Sequence, residues 1–275
     1  MGKVGIPSLL FRFYLRFINN DVFGLAAQLA YFFLLSLFPL LIFLVSLVPY
    51  LPISETDILN VIRDFAPGKT MQLIESNLHE LMEHHSGQLL TFGIVATLWS
   101  ASNGINSIVK GFNHAYDVKE SRPFWKARIM AVVLTVAMVL VFIVALLLPV
   151  FGKQIGLYIA AHFNNSWKFL EVWSTLRWVI SSVIIFIVFL GLYIIAPNKK
   201  VLFTDAIPGA VFATVGFAVV SLAFSFYVDN FGNYSHMYGS LGGIIVLLIW
   251  FYLTSFVIII GGEINAFIAL VRKRW

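Results

Sequence analysis

The chain contains no cysteine and very little charge. Of its 275 residues, 11% are Asp, Glu, Lys or Arg, whereas soluble domains carry about 25%. The absence of cysteine excludes disulfide bonds, thiolate metal sites and lipid attachment through sulfur. The shortage of charge, together with 60% hydrophobic residues and a mean hydropathy of +0.91, excludes an ordinary soluble domain. The composition therefore predicts a protein that resides in a lipid bilayer.

The net charge of +5 does not indicate a nucleic-acid-binding face, because the basic residues lie at the ends of apolar runs. No cleavable signal peptide is evident, since the apolar run after residue 21 is longer than a signal core of about 7–15 residues. Residues 1–21 are predicted to be a cytoplasmic amphipathic segment. This segment is either a helix on the inner membrane surface or a lead-in to the first span.

The apolar runs predict an all-α polytopic membrane protein that forms a single integral membrane domain over residues 1–275. A helix of about 20 residues crosses a hydrocarbon core of about 30 Å. The six predicted spans are Val22–Tyr50, Gln88–Phe112, Ala127–Phe151, Trp173–Ala196, Asp205–Val228 and Gly239–Val271. Pro208 is predicted in the first turn of the fifth span, where a proline costs no hydrogen bond.

The distribution of Lys and Arg predicts that both termini are cytoplasmic. Thirteen basic residues fall on one side of the predicted spans: Lys3, Arg12, Arg16, Lys110, Lys119, Arg122, Lys126, Arg128, Lys199, Lys200, Arg272, Lys273 and Arg274. Five fall on the other: Arg63, Lys69, Lys153, Lys168 and Arg177. The richer side is the predicted cytoplasmic side.

The extracytoplasmic loop between spans one and two, Leu51–Gly87, is predicted to be helical. Ser54 and Asp57 resemble a capping box at the start of one amphipathic helix, and a second follows Pro67. The two helices either pack over the outer mouth of the bundle or rest on the outer leaflet. His79 and Glu83 have a spacing that can bind a divalent ion, as do Glu80 and His84, but a solvated acidic face explains it more simply. No metal site or cofactor is predicted.

Span two carries a polar stripe at helical spacing. The stripe follows steps of three and four and consists of Ser100, Asn103, Ser107, Lys110 and His114, with Asn106 and Asn113 beside it. Such a stripe cannot face lipid. It provides either hydrogen bonds between helices, worth roughly 0.6 kcal/mol each, or the wall of a solvated cavity.

Glu263 is the one ionisable residue within the apolar run of the last span. A carboxylate in a membrane helix costs roughly 2.5 kcal/mol or more unless it faces a partner or water. Counting residues from the predicted cytoplasmic ends puts Glu263 in one layer with polar residues of spans one and two, with Lys110 as a countercharge. The predicted polar cavity comprises Gln28, Ser100, Asn103, Asn106, Ser107, Lys110, Glu263 and Asn265. Glu263 is either a neutralised buried group or a site for protons or lipid headgroups.

A polar hairpin precedes the last span. It is interpreted either as an outer gate loop or as a tight turn with interfacial aromatics. The candidate gate residues are Asn230, Asn233, Tyr234, His236 and Tyr238.

Several motifs in order along the chain resemble those of the YihY/BrkB family of bacterial inner-membrane proteins. They are Ala30–Leu40 (AYFFLLSLFPL), Leu98–Gly104 (LWSASNG), Pro208–Ala210 (PGA), Asn230–Tyr234 (NFGNY), Tyr238–Gly242 (YGSLG) and Gly262–Ala266 (GEINA). The resemblance covers nearly the whole chain. It implies six membrane helices in a bacterial plasma membrane and an association with envelope integrity, serum resistance and lipid-related transport. The family has also carried a ribonuclease label.

These observations favour a transporter or lipid translocator of the envelope, with membrane lipids and envelope proteins as expected partners and no nucleic acid. The alternative is a non-transporting scaffold that binds envelope partners through Leu51–Gly87. An enzyme is not expected, because the sequence shows neither a soluble nucleic-acid face nor a compact carboxylate–histidine cluster.

Overall fold

A computed structural model describes residues 6–50, Leu59, 87–141, 166–231 and 241–272, and the regular structure in these ranges is helical. The described helices are α1 (Ile6–Asn19), α2 (Val22–Leu47), α3 (Gly87–Ala115), α4 (Phe124–Val141), α5 (Ser166–Ile195), α6 (Phe203–Phe231) and α7 (Leu241–Arg272). The predicted all-α class is confirmed. The helices form two compact units, one of residues 1–32 and 102–275 and the other of residues 33–101.

Five of the described helices are long and apolar enough to cross a membrane: Val22–Phe43, Phe124–Val141, Thr175–Ile195, Phe203–Val228 and Gly242–Arg272. They coincide with five of the six predicted spans. Helix α3 has 29 residues, or about 43 Å at 1.5 Å per residue, but it carries the polar stripe and is less apolar. The six-span count and the orientation stay predictions.

In the first unit, α6 packs along both α5 and α7. Small residues make the approach to α7 close: Ala206, Ala210 and Ala213 recur at helical spacing on α6 and are fully buried, and Gly209 lies against Gly261 of α7. Such stripes let membrane helices approach at van der Waals distance. The opposite face of α6 exposes the apolar side chains that lipid would cover: Val211, Val215, Val219, Leu222 and Phe226.

Helix α6 begins two residues earlier than predicted, so Pro208 lies in its second turn and not in its first. A proline there removes one helical hydrogen bond. Asn265 of α7 bonds the backbone on both sides of the proline. Its Oδ1 accepts from the Gly209 N–H at 2.6 Å, and its Nδ2 donates to the Ala206 carbonyl oxygen at 3.2 Å. A neighbouring helix thus satisfies backbone groups near a proline, as membrane proteins require.

Helix α1 packs one face against α7 and exposes another. Edge-to-face ring contacts join Phe13 to Phe267 at 5.5 Å and Phe17 to Phe256 at 5.9 Å. Apolar side chains at i, i+3, i+4 and i+7 are exposed on α1: Phe11, Tyr14, Leu15 and Ile18. The pattern matches an amphipathic helix whose free apolar face contacts the bilayer interface.

The second unit contains the C-terminal part of α2, the 3₁₀ turn Val48–Tyr50 and the N-terminal part of α3. The two helices cross closely at Gly93, where an added Cβ would lie 2.8 Å from the backbone of Phe43. Apart from Leu59 and Gly87, the predicted outer loop Leu51–Gly87 lies outside the described residues, as do its possible metal-binding pairs.

Candidate functional site

The carboxylate of Glu263 is held inside the first unit. The residue is 2% exposed, so it does not face lipid. Asn20 Nδ2 donates to Glu263 Oε1 at 2.6 Å, and Arg16 Nη2 lies 3.9 Å from Glu263 Oε2. Oε2 is buried and has no hydrogen-bond partner among the described residues. The carboxylate thus has one oxygen that accepts a hydrogen bond from Asn20 and one that has no described donor.

Arg16 is the cation of this site. Its Nη2 donates to the carbonyl oxygen of Ala115, the last residue of α3, while its Nε is buried without a partner in the described structure. The pair therefore holds one unused acceptor and one unused donor in close proximity. Buried polar groups are normally hydrogen-bonded, so unpaired ones call for a functional or structural reason.

The α1–α2 turn brings Arg16 and Asn20 to the carboxylate. The two residues are four apart, which places them on one side of α1. Asp21 takes a left-handed conformation with φ of 49°, which Asp tolerates better than most residues. Its Oδ1 then accepts from the Gly24 N–H at 3.2 Å, which caps α2. Only Asn20 and Asp21 separate α1 from α2.

Two further buried side chains of α7 lack partners among the described residues. The hydroxyl oxygens of Thr254 and Ser255 make no hydrogen bond to any described residue, although both residues are essentially inaccessible. They lie eight and nine residues before Glu263, or about 12–14 Å along the helix axis. Helix α7 thus carries three polar side chains with unused hydrogen-bonding capacity.

The predicted cavity residues are divided between the two units and differ in burial. Asn265 is fully buried and bonds α6, as described above. Asn103 accepts from Arg128 Nη1 at 3.3 Å, and its carbonyl oxygen accepts from the Ser107 hydroxyl at 3.3 Å. Asn106 is half-buried, whereas Gln28 and Lys110 are exposed. Ser100 belongs to the second unit.

The hydrogen bond and the ion pair described for Glu263 are made by Asn20 and Arg16, respectively. The sequence analysis counted Arg16 only among the basic residues of the predicted cytoplasmic side and did not include Asn20. The side chains of the candidate gate loop lie outside the described part of the chain. Asn230 belongs to α6, but its side chain is not described, and neither are residues 232–240.

A network of polar contacts joins the α3–α4 and α5–α6 connections, on the side of the predicted spans that is rich in Lys and Arg (the basic end of the first unit). Asn113 donates to Glu120 Oε2 at 2.8 Å and accepts from the Asn198 N–H at 2.6 Å. Arg122 Nη2 donates to the Ala196 carbonyl oxygen at 2.7 Å, and Arg122 Nε bonds Glu120 at 2.9 Å. The α3–α4 connection is thereby tied to the α5–α6 connection.

Because of Glu120, this junction makes the stability of the fold depend on pH in the acid range. Burial opposes ionisation of Glu120, but hydrogen bonds from the Arg122 N–H, the Asn113 amide and the Arg122 side chain outweigh it and lower the pKa. The stabilisation by the ionised Glu120 is therefore complete above the pKa of the unfolded state, near 4.5. It is lost as the pH falls through the lower pKa of the folded state. Glu120→Gln should lose about 2–4 °C of Tm at about pH 6, and its difference from wild type should shrink as the pH falls below 4.5.

Thermal unfolding in detergent at several pH values measures this effect. Asp117→Asn is the control, since Asp117 is exposed and asparagine also tolerates its positive φ of 53°. A Glu120→Gln profile parallel to wild type over the whole range would contradict the assignment.

Within residues 6–50, 87–141, 166–231 and 241–272, no three His, Asp or Glu side chains come together as metal ligands. The fold and the buried site define an all-helical, multi-pass membrane protein with an ion pair inside its helical bundle.

Comparison with known proteins identifies the family. The pattern of the family described as "Virulence factor BrkB" matches residues 13–274. The chain belongs to this family, and the resemblance inferred from the motifs is confirmed.

Relatives cover almost the whole chain. A Bacillus subtilis (strain 168) protein, YfkH, whose name describes it as ribonuclease-like, is 52% identical over 267 residues, 97% of this chain and 96% of its own. A UPF0761 membrane protein of Aliivibrio fischeri (strain ATCC 700601 / ES114) is 29% identical over 96% of this chain and 84% of its own. Another, from Vibrio vulnificus (strain YJ016), is 30% identical over 96% and 83%. No solved structure matches the chain.

Proposed function

We propose that this protein is a transporter that moves an amphiphile, such as an envelope lipid, by passing its polar group through the site of Glu263 and Arg16. The observation that carries the proposal is the unpaired Glu263 Oε2 beside Arg16 in a helix of membrane-spanning length. An ionisable group at such a position is costly and indicates function by default.

The chemistry of the pair suits a polar headgroup. Oε2 can accept from a hydroxyl or an ammonium group, and Arg16 Nε can donate to a phosphate or carboxylate oxygen. A headgroup with both kinds of atom can therefore replace the contact between Glu263 and Arg16. The hydroxyls of Thr254 and Ser255 offer further hydrogen bonds deeper along α7. The lipid tail needs no path through the protein, because it can remain in the bilayer.

The proposal is tested with the purified full chain in proteoliposomes that contain phosphatidylglycerol with a fluorescent headgroup. Chemical quenching from outside reports how fast the labelled lipid crosses the bilayer. Wild type should exceed protein-free vesicles by at least tenfold, and Glu263→Gln should lose most of that excess. Glutamine keeps an acceptor for Asn20, so the abundance of the folded variant in the membrane should be unchanged.

Lys126→Gln is the matched control, since Lys126 is exposed at the start of α4. It removes one charge and should transport like wild type. Full lipid movement by Glu263→Gln, or none by wild type, contradicts the proposal. We also propose that the protein is not an enzyme. Because a relative's name mentions ribonuclease, the same preparation should be incubated with RNA and Mg²⁺ or Zn²⁺, and metal-dependent cleavage would overturn that proposal.

A further inference from the structure

A second polar site lies at the basic end of the first unit. A cavity of about 220 Å³ opens between the segment after α3, the α5–α6 connection and the C-terminal end of α7. Its polar lining consists of Tyr116, Lys199, Lys200, Asp205 and Arg272. The volume is below that of typical pockets for drug-sized ligands, about 300–1,000 Å³. The cavity therefore suits a small polar group.

The lining is electropositive, with three basic side chains and one acidic side chain. Asp205, in the first turn of α6, forms an ion pair with Arg272, and Arg272 also donates to the Thr204 hydroxyl at 3.2 Å. The acidic group thus offsets one of the three positive charges. A small cavity with net positive charge selects an anion.

Tyr116, which lines the same cavity, carries an uncharged donor. The residue is 8% exposed, and its hydroxyl has no hydrogen-bond partner among the described residues. Lys199 Nζ lies 5.0 Å from the centre of the Tyr116 ring, which fixes the lysine over the aromatic face. Burial, with the nearby carboxylates of Asp205 and Glu263, raises the pKa of the Tyr116 phenol. The hydroxyl therefore stays protonated and able to donate.

The surroundings indicate where the anion comes from. Leu202 lines the cavity, and both Leu202 and its neighbour Phe203 are more than half exposed. Large apolar side chains beside a basic cavity are typical of the membrane interface, where a headgroup and its acyl chains are recognised together.

We propose that this cavity binds a phosphate group, presented either by an anionic lipid headgroup or as free phosphate. Lys199, Lys200 and Arg272 supply the charge, and the Tyr116 hydroxyl donates to a phosphate oxygen. Glu263 does not line the cavity, so the proposal does not depend on transport. Binding here can be present in a protein that moves no lipid, and absent from one that does.

Tyr116→Phe is the sharpest test, because it removes one hydroxyl that bonds no described protein group. The probes are inorganic phosphate, measured by calorimetry on the purified full chain in an uncharged detergent, and phosphatidylglycerol, measured by native mass spectrometry. Tyr116→Phe should weaken binding of the true ligand about tenfold. The double variant Lys199→Gln/Lys200→Gln should weaken it at least as much.

Two control variants test whether binding is specific to this cavity or results from the positive charge of the whole protein. Tyr14→Phe makes the same change on exposed α1, and Lys126→Gln removes an exposed charge on α4; both should bind like wild type. If only phosphatidylglycerol binding weakens, the ligand is a lipid headgroup; if only inorganic phosphate binding weakens, it is free phosphate. The proposal is overturned if wild type binds neither probe, or if the pocket variants bind both within twofold of wild type.

Discussion

Replacing Gly209 with valine is expected to prevent α6 and α7 from packing and to reduce the yield of folded protein at least tenfold. A Cβ on Gly209 would collide with the Gly261 carbonyl oxygen and the Asn265 amide. The Gly261 oxygen belongs to the backbone of α7, and the Asn265 side chain is held by two hydrogen bonds. Moving either group therefore costs free energy. Overpacking costs about 1–3 kcal/mol, and each lost Asn265 bond adds about 1 kcal/mol. Together these approach the whole stability of many domains.

Fluorescence-detected gel filtration and thermal unfolding in detergent measure this loss. Gly191→Ala is the matched control, because a Cβ on this α5 glycine meets nothing within 4 Å. A helical Gly→Ala change without a clash should stabilise by about 0.4–1 kcal/mol. A Gly209→Val protein that elutes as a single species with wild-type Tm would show that α6 and α7 do not meet at this glycine.

Replacing Arg16 with alanine is expected to destabilise the protein because it leaves Glu263 buried without an opposite charge. Breaking a buried ion pair from one side costs about 3–5 kcal/mol. The Arg16 side chain is 26% exposed and its Nη2 lies 3.9 Å from Glu263 Oε2, so we expect a loss of about 2–3 kcal/mol. The loss should shrink when the carboxylate is also neutralised.

A double-mutant cycle measures the interaction directly. The free energy of unfolding is compared for wild type, Arg16→Ala, Glu263→Gln and the double variant. The double variant should be more stable than Arg16→Ala alone, with a coupling of about 1–2 kcal/mol. Arg122→Ala combined with Glu263→Gln serves as the control pair, because Arg122 bonds Glu120 and not Glu263. Additive effects of Arg16→Ala and Glu263→Gln would contradict the pairing.

Local composition was sufficient to predict most of the fold. The bounds of α6 and α7 agree with the predicted spans to within a few residues, because uninterrupted apolar runs have no soluble alternative. Helix α5 ends where predicted but begins at Ser166, before the predicted Trp173. Pro208 was misplaced by one turn, since a proline can lie inside a membrane helix when a neighbour bonds the backbone around it. That neighbour is Asn265, 57 residues later in the chain, and no local pattern identifies it.

The amino-acid sequence by itself determined that this is an all-helical, multi-pass membrane protein of the BrkB family with a buried carboxylate at Glu263. Apolar periodicity and the cost of a charge in lipid depend on neighbours in the chain, so both can be read from one sequence. The tertiary structure decided which groups meet that carboxylate. Asn20 and Glu263 are 243 residues apart, and their contact depends on the turn between α1 and α2 and on the packing of α1 against α7. Such pairings arise from the crossing of whole helices, and helical periodicity carries no information about them.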